Sequence, residues 1–335
     1  MREPSFWWNK PGLKSTLLKP AALGYGAVAA KRLRKPGTVA DVPVICIGNW
    51  THGGTGKTPT AIAIAALLSE LGEQPFFLSR GYGGKLTGPL QVDPAVHRAS
   101  DVGDEPLLLA KKAPTIVSAD RVAGARAASA AGASVIVMDD GLQNPSLAKT
   151  LAIAVFDARR GLGNGAVFPA GPLRAPLKVQ LERTDAVLLL GAASKAASDI
   201  SDLTRGRGLP FFRGRLEPDA AAVKALARRK VLAFAGIGDP EKFFSTLAMA
   251  GVEATVEESF PDHHPYTRAD AQRLLERSES GGLTPVTTEK DFVRLYGDEE
   301  LVKLASRART LPVSLVIQEL DDMRRLLKQK LAGRK

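Results

Sequence analysis

From Val42 to Leu190 short apolar runs alternate with helical patterns, the order expected of successive βαβ units and a mostly parallel sheet. The candidate strands are VPVICIG (42–48), PFFLS (75–79), TIVS (115–118), SVIVMD (134–139), LAIAVFD (151–157) and DAVLLLG (185–191). Between them, Thr58 to Leu71 and Arg121 to Ala131 are alanine-rich, and their continuous small apolar character suits helices pressed against a sheet. This predicts one doubly wound α/β domain. The pattern breaks over Ser198 to Pro218, which includes Arg205-Gly206-Arg207-Gly208, and reads as a connection between lobes. Beyond it the alternation resumes with strands in 230–240, 252–259, 285–291 and 311–318 and helices near Glu241 to Ala250 and from Thr267, predicting a second, smaller α/β lobe. The basic C-terminal stretch LLKQKLAGRK reads as a helix with a solvated face, and no solenoid repeat is visible. The expected division is 1–35, 36–205 and 206–335.

Residues 5–35 stand apart. Two of the three tryptophans, Trp7 and Trp8, lie here with Phe6, Tyr25 and several leucines among basic residues, and the apolar run Ala21 to Ala30 follows Lys14 and Lys19 and precedes Lys31-Arg32-Leu33-Arg34-Lys35. That mixture suits a segment lying at a lipid headgroup boundary, and equally a helix packed on the body. Its apolar core, Ala21 to Ala30, is about half the length a bilayer-spanning helix needs. The basic cluster follows the apolar run and no convincing cleavage site is visible, so it does not read as a secretory signal.

Length and composition add little to the fold but narrow the function. With 335 residues the chain has room for roughly two self-sufficient cores. The 46 Lys and Arg exceed the 35 Asp and Glu by 11, which favours anionic partners such as phosphates, nucleic acid or an acidic membrane surface. Cys46 is the single cysteine, which excludes an intramolecular disulfide and a cysteine-rich zinc site and fits a reducing, cytoplasmic setting.

The strongest chemical signal is Asn49-Trp50-Thr51-His52-Gly53-Gly54-Thr55-Gly56-Lys57-Thr58, placed between the first strand and a helix. In a P-loop, successive backbone N–H groups surround phosphate oxygens, the helix N-terminus adds positive potential, the lysine bridges the terminal phosphates and the hydroxyl ligates magnesium. Thr51 stands where the usual pattern has its first glycine, with Gly53 and Gly54 close by. The second signal is an apolar strand ending in Asp139-Asp140-Gly141, the acidic terminus that holds magnesium in nucleotide-hydrolysing folds; by itself it reads equally well as a turn.

IGNWTHGGTGKTP, LSRGYGG (78–84), VGDEP (102–106), DDGLQ (139–143), GNGAVFPAGPLR (163–174), FPDHHPY (260–266) and TTEKDFVRL (287–295) follow one another in the chain. In this series the sequence resembles the tetraacyldisaccharide 4'-kinase family over roughly residues 5–320. The resemblance implies a P-loop NTPase-like fold, ATP as co-substrate with Mg2+, and the lipid A precursor disaccharide as acceptor at the cytoplasmic face of the bacterial inner membrane. It places nucleotide at Thr51, His52, Gly53, Gly54, Thr55, Gly56, Lys57 and Thr58, metal at Thr58, Asp139 and Asp140, and catalysis at Lys57, Asp104 and His263. Ser79, Arg80, Tyr82, Arg121, Gln143 and Arg174 fall on substrate positions, where hydroxyl, guanidinium and amide groups suit sugar hydroxyls or a phosphate. The chain departs from the family at Ala175, where a glutamate is usual, and at Leu142 and Asn144 of the Asp-Asp-Gly motif. Without the resemblance, Asp104 reads more readily as a helix cap and His264 as structural.

The expected chemistry is in-line transfer of the ATP γ-phosphoryl group to a sugar 4'-hydroxyl by a peripheral or monotopic, monomeric enzyme. A nucleotide-gated peripheral membrane switch would use most of the same residues. No compact basic-aromatic motif points to nucleic acid.

Overall fold

The computed structural model describes residues 3–333. Along these residues the strands are β1 (Val44–Gly48), β2 (Pro75–Ser79), β3 (Leu90–Gln91), β4 (Thr115–Val117), β5 (Val135–Asp139), β6 (Leu151–Asp157), β7 (Ala186–Leu190), β8 (Phe211–Pro218), β9 (Val231–Ala235), β10 (Ala254–Ser259), β11 (Thr284–Thr287), β12 (Arg309–Thr310) and β13 (Val313–Ile317). The larger sheet runs β13-β8-β7-β6-β1-β5-β2-β4-β3 and the smaller β10-β9-β11-β12. Pairing is parallel except at the two edges of the larger sheet, where β13 meets β8 and β3 meets β4 antiparallel.

The central strands are buried along their whole length because helices cover both faces. Cys46, Ile136, Met138 and Phe156 pack on one side with Ala125 and Ala128 of the helix Arg121–Ala130. Ile45, Ile47, Val137 and Ile153 pack on the other with Ile64 and Leu68 of the helix Lys57–Glu70. Each fully buried side chain of this size contributes about 1.5–3 kcal/mol. The strand order reverses direction around β1, so the carboxyl ends of β1 and β5 open a crevice in which Ile47 lies beside Asp139.

Two sequence expectations change. The stretch expected to be a connection contains the helix Lys195–Arg205 and β8, which extends the main sheet beside β7. Residues 311–318, expected in the second lobe, return as β13 to pair with β8, and the helix Leu320–Ala332 then buries Met323 and Leu327 in the main core. The sheets therefore divide so that residues 219–312 form an excursion between two adjacent antiparallel strands, not a lobe running from 206 to the end. Sequence pattern missed this because β8 alternates buried and exposed residues, with Gly214 and arginines in a short edge-like run.

The N-terminal segment forms the helices Leu13–Leu17 and Lys19–Leu33. Ala22, Gly26, Ala30 and Leu33, spaced one helical turn apart, face the body, where Gly26 admits Pro176 and Ala30 meets Ala175 and Val179. Ala175 is completely buried there, so the glutamate usual in the family would place a carboxylate under this helix. The tryptophans are not on the outer surface as a membrane-contact reading would have them. Trp7 is buried and donates from Nε1 to the Pro169 carbonyl, while Trp8 lies under the Arg160 guanidinium and donates to Glu3. The outward apolar face is instead Leu13, Leu17, Leu23 and Val28, each at least 70% exposed. No helix among the described residues is long and apolar enough to cross a membrane.

Candidate active site

The loop after β1 reaches the helix Lys57–Glu70 through Gly56, whose φ of +89° suits glycine and whose added Cβ would lie 2.6 Å from Leu190 Cδ1. Backbone N–H groups of the first turn thus face the crevice at the carboxyl end of the sheet. A frame of side chains holds the loop from behind. Arg174 donates to the Thr51 carbonyl (3.0 Å), to Asp140 Oδ1 (2.9 Å) and to Gln143 Oε1 (3.2 Å). Gln143 donates in turn to the Asn49 carbonyl at 2.7 Å. Arg174 and Gln143, expected at the sugar, therefore support the phosphate loop in this arrangement. Buried Leu142 closes the same corner against Gly48, and Asn144 accepts from Ser146 to shape the following turn.

Lys57 Nζ lies 3.7 Å from Asp140 Oδ2. Burial opposes ionisation of Asp140, but Lys57 and Arg174 outweigh it and hold the carboxyl down at about 2. Asp140 occupies the left-handed region with φ of +50°, a costly conformation for a non-glycine residue that aims its carboxylate at the loop. Asp139 is different. Burial, then Glu105 and Asp140, push its carboxyl up to about 7. One of its oxygens, Oδ2, sits 3.4 Å from Thr58 Oγ1, and the other, Oδ1, is buried with no hydrogen-bond partner. A carboxylate oxygen without a donor, beside a hydroxyl at a helix start, fits a hard divalent cation. Among the described residues no cluster of three His, Cys, Asp or Glu side chains could enclose a metal alone. Magnesium held at Thr58 and Asp139 would take its remaining ligands from phosphate and water.

His52 packs between Trp7 and Phe168, at 5.7 and 5.5 Å between ring centres, and ties the phosphate loop to the N-terminal segment. Burial and the neighbouring Arg174 lower its pKa to about 4, so the ring is neutral near pH 7. Its Nε2 is buried without a partner, as are Thr55 Oγ1 and Asn49 Oδ1.

Across the crevice stands a second constellation. Gly103, with φ of +90°, leads into the helix Asp104–Ala110 and makes no side-chain cap. Asp104 Oδ1 accepts from the Glu105 N–H at 2.8 Å, and Oδ2 accepts from Arg294 Nε (2.8 Å) and meets His263 Nδ1 (3.0 Å). Burial opposes its ionisation, but the His263 hydrogen bond, Lys290 and Arg294 hold the carboxyl well below the usual range. His263 comes from the excursion, with φ of +54°, and the Tyr82 ring lies edge-on to it at 5.3 Å. His264 is structural as expected: its Nε2 contacts Asp270 at 3.0 Å and its ring stacks on Phe260.

The remaining substrate candidates scatter around this wall. Ser79 is buried and accepts from the Gly81 N–H, and Arg121 is buried with a donor spent on the Ser118 carbonyl. Burial and Arg80 lower the Arg121 pKa to about 10, still charged near neutrality. Arg80 and Tyr82 are exposed at the rim. Sequence reasoning assigned no role to Glu105, Lys290, Asp291 or Arg294. A signal existed in the TTEKDFVRL run, which sets a cation, a carboxylate and a guanidinium on little more than one helical turn.

A P-loop at the switch point of a parallel sheet, an acidic pair beside it and a carboxylate–imidazole pair facing it across a cleft define a nucleotide-dependent phosphotransferase of P-loop type. The family model described as tetraacyldisaccharide-1-P 4'-kinase matches residues 14–332. A tetraacyldisaccharide 4'-kinase from Rhodopseudomonas palustris (strain BisA53) is 55% identical over 98% of this chain and 95% of its own length. One from Methylobacterium sp. (strain 4-46) is 55% identical over 99% of this chain and 98% of its own. The crystal structure of LpxK from Aquifex aeolicus in complex with ATP superposes with a TM-score of 0.73 at 26% identity, covering 96% of this chain and all of that one. The chain belongs to the tetraacyldisaccharide 4'-kinase family.

Proposed function

We propose that this protein transfers the γ-phosphoryl group of ATP to the 4'-hydroxyl of tetraacyldisaccharide 1-phosphate, a step of lipid A biosynthesis. The observation that carries this reading is the Asp104–His263 pair set opposite Lys57 and Asp140, because an ATPase switch has no need of a proton acceptor built from two lobes. Lys57 and the loop N–H groups hold the β- and γ-phosphates, and Thr58 and Asp139 would hold magnesium, which supplies charge neutralisation when bound. The acceptor hydroxyl loses its proton to His263 while its oxygen bonds to the γ-phosphorus. The bond from that phosphorus to the β–γ bridging oxygen breaks, and ADP leaves with the electron pair. Asp104 accepts three hydrogen bonds and orients the imidazole. The expected result is a labelled bisphosphorylated lipid from γ-labelled ATP, magnesium and the purified acceptor in detergent. Acceptor-independent hydrolysis with no lipid product would favour the switch instead.

The exposed Leu13, Leu17, Leu23 and Val28, flanked by Lys10, Lys14, Lys19, Lys31 and Arg32, support docking of the N-terminal helices on an anionic bilayer at the inner membrane's cytoplasmic face. Leu17→Glu with Leu23→Glu is expected to abolish co-sedimentation with vesicles containing anionic lipid, and to leave the melting temperature within a few degrees because both sites are solvent-facing. Unchanged sedimentation would remove this surface from the account. We propose a monomer divided at β8 and β13, each lobe contributing one wall of the cleft.

A further inference from the structure

We infer that Lys290 is a positioning residue that fixes the tautomer of His263 and keeps its outer nitrogen free of a proton until the acceptor hydroxyl arrives; this rests on the kinase reading above. Lys290 lies on the short helix Glu289–Phe292 of the excursion, and Glu105 on the helix Asp104–Ala110 of the opposite lobe. Their charged ends meet at 3.0 Å, and the same Lys290 Nζ stands 3.3 Å from His263 Nε2. An ammonium group only donates, so Nε2 must be the accepting nitrogen. At the other end of the ring, Asp104 Oδ2 already accepts from Arg294 and can only accept again, so Nδ1 carries the hydrogen. Both ends of the imidazole are thereby specified: neutral, protonated at Nδ1, with the Nε2 lone pair facing Lys290.

The need for a cation follows from the neighbours. Asp104 from one lobe and Asp262 from the other, with a carboxylate oxygen 3.9 Å from Nε2, meet the ring, Glu105 meets Lys290 beside it, and Tyr82 lies edge-on to the imidazole. Arg294 is committed to Asp104 and Asp291. Without Lys290, Asp104 and Asp262 at the ring, with Glu105 left unpaired beside them, would favour a proton on Nε2, and an imidazolium cannot accept the hydroxyl proton. When the hydroxyl takes its place at Nε2, Glu105 keeps the ammonium alongside, where it opposes the negative charge growing on the attacking oxygen.

The test compares Lys290→Met, which keeps the aliphatic stem, and Lys290→Arg with the native enzyme in the lipid phosphorylation assay from about pH 5.5 to 9. The expected result for Lys290→Met is an acidic limb of kcat/KM for the disaccharide moved upward by about one pH unit or more, with KM for ATP changed less than about twofold. Lys290→Arg should restore the native limb. A Lys290→Met rate that falls with the limb unmoved assigns the residue a structural role and overturns the inference. Independently, 15N NMR of the native protein should show His263 protonated at Nδ1 and unprotonated at Nε2 near neutral pH, and the opposite tautomer overturns it without any variant. A native enzyme that makes no phosphorylated lipid would instead defeat the kinase reading, while the NMR result still decides the tautomer.

Discussion

Lys57→Ala is expected to reduce phosphoryl transfer by a hundred- to a thousand-fold or more, about the cost of deleting one preorganised charge from a transition state. Lys57 extends from the first residue of the helix behind the phosphate loop, is nearly buried, and lies 3.7 Å from Asp140. Its ammonium does two jobs. It balances Asp140, and it can reach the terminal phosphates as charge spreads over the transferring group. Alanine at the first turn of a helix is well tolerated, so the fold should survive, and Arg174 still pairs with Asp140. Measured as initial rate of label transfer alongside the melting temperature, the expected outcome is a folded protein with a collapsed kcat. A folded Lys57→Ala protein retaining more than about a tenth of native activity would mean that the loop does not bind the transferred phosphate.

Asp104→Asn and His263→Ala should each lower kcat by a hundred- to ten-thousand-fold, the range for removing a positioned acid–base group, with little change in ATP affinity. The two differ in their structural cost. Arg294 pairs with Asp104 through Nε and with Asp291 through Nη1, and Arg294 and Asp104 are both about 5% exposed, so removing the Asp104 charge leaves a buried guanidinium with one carboxylate fewer. Asp104→Asn should therefore melt lower than His263→Ala, whose ring is about one-quarter exposed at the cleft. Because the two act as one unit, the double variant should lose little more than the worse single. Full additivity of the two losses would argue that they serve separate steps.

The carbonyl–arginine frame behind the phosphate loop shows what a motif position leaves out. Arg174 and Gln143 look like sugar-binding groups in isolation, yet the fold spends them on the Thr51 and Asn49 carbonyls and on Asp140. Similarly, Trp7 and Trp8 carry the composition of a membrane anchor but are used inward, against Pro169 and under Arg160.

The parallel α/β core, the phosphate loop and the acidic strand end were legible in the sequence because each is local. Continuous apolar runs in β1, β5 and β6 report burial on two faces, and Gly56-Lys57-Thr58 needs only its flanking strand and helix to have meaning. The Asp104 and His263 pairing was reachable only through family motifs, since 158 positions of intervening chain carry no periodic signal that would join them. Tertiary structure alone decided the rest. The return of β13 to β8, the inward face of the N-terminal helix and the meeting of Glu105, Lys290 and Arg294 around Asp104 depend on contacts between segments far apart in the chain. Such contacts are selected by the packing of whole elements and by charges that must be paired once buried, and neither is written in any single stretch of sequence.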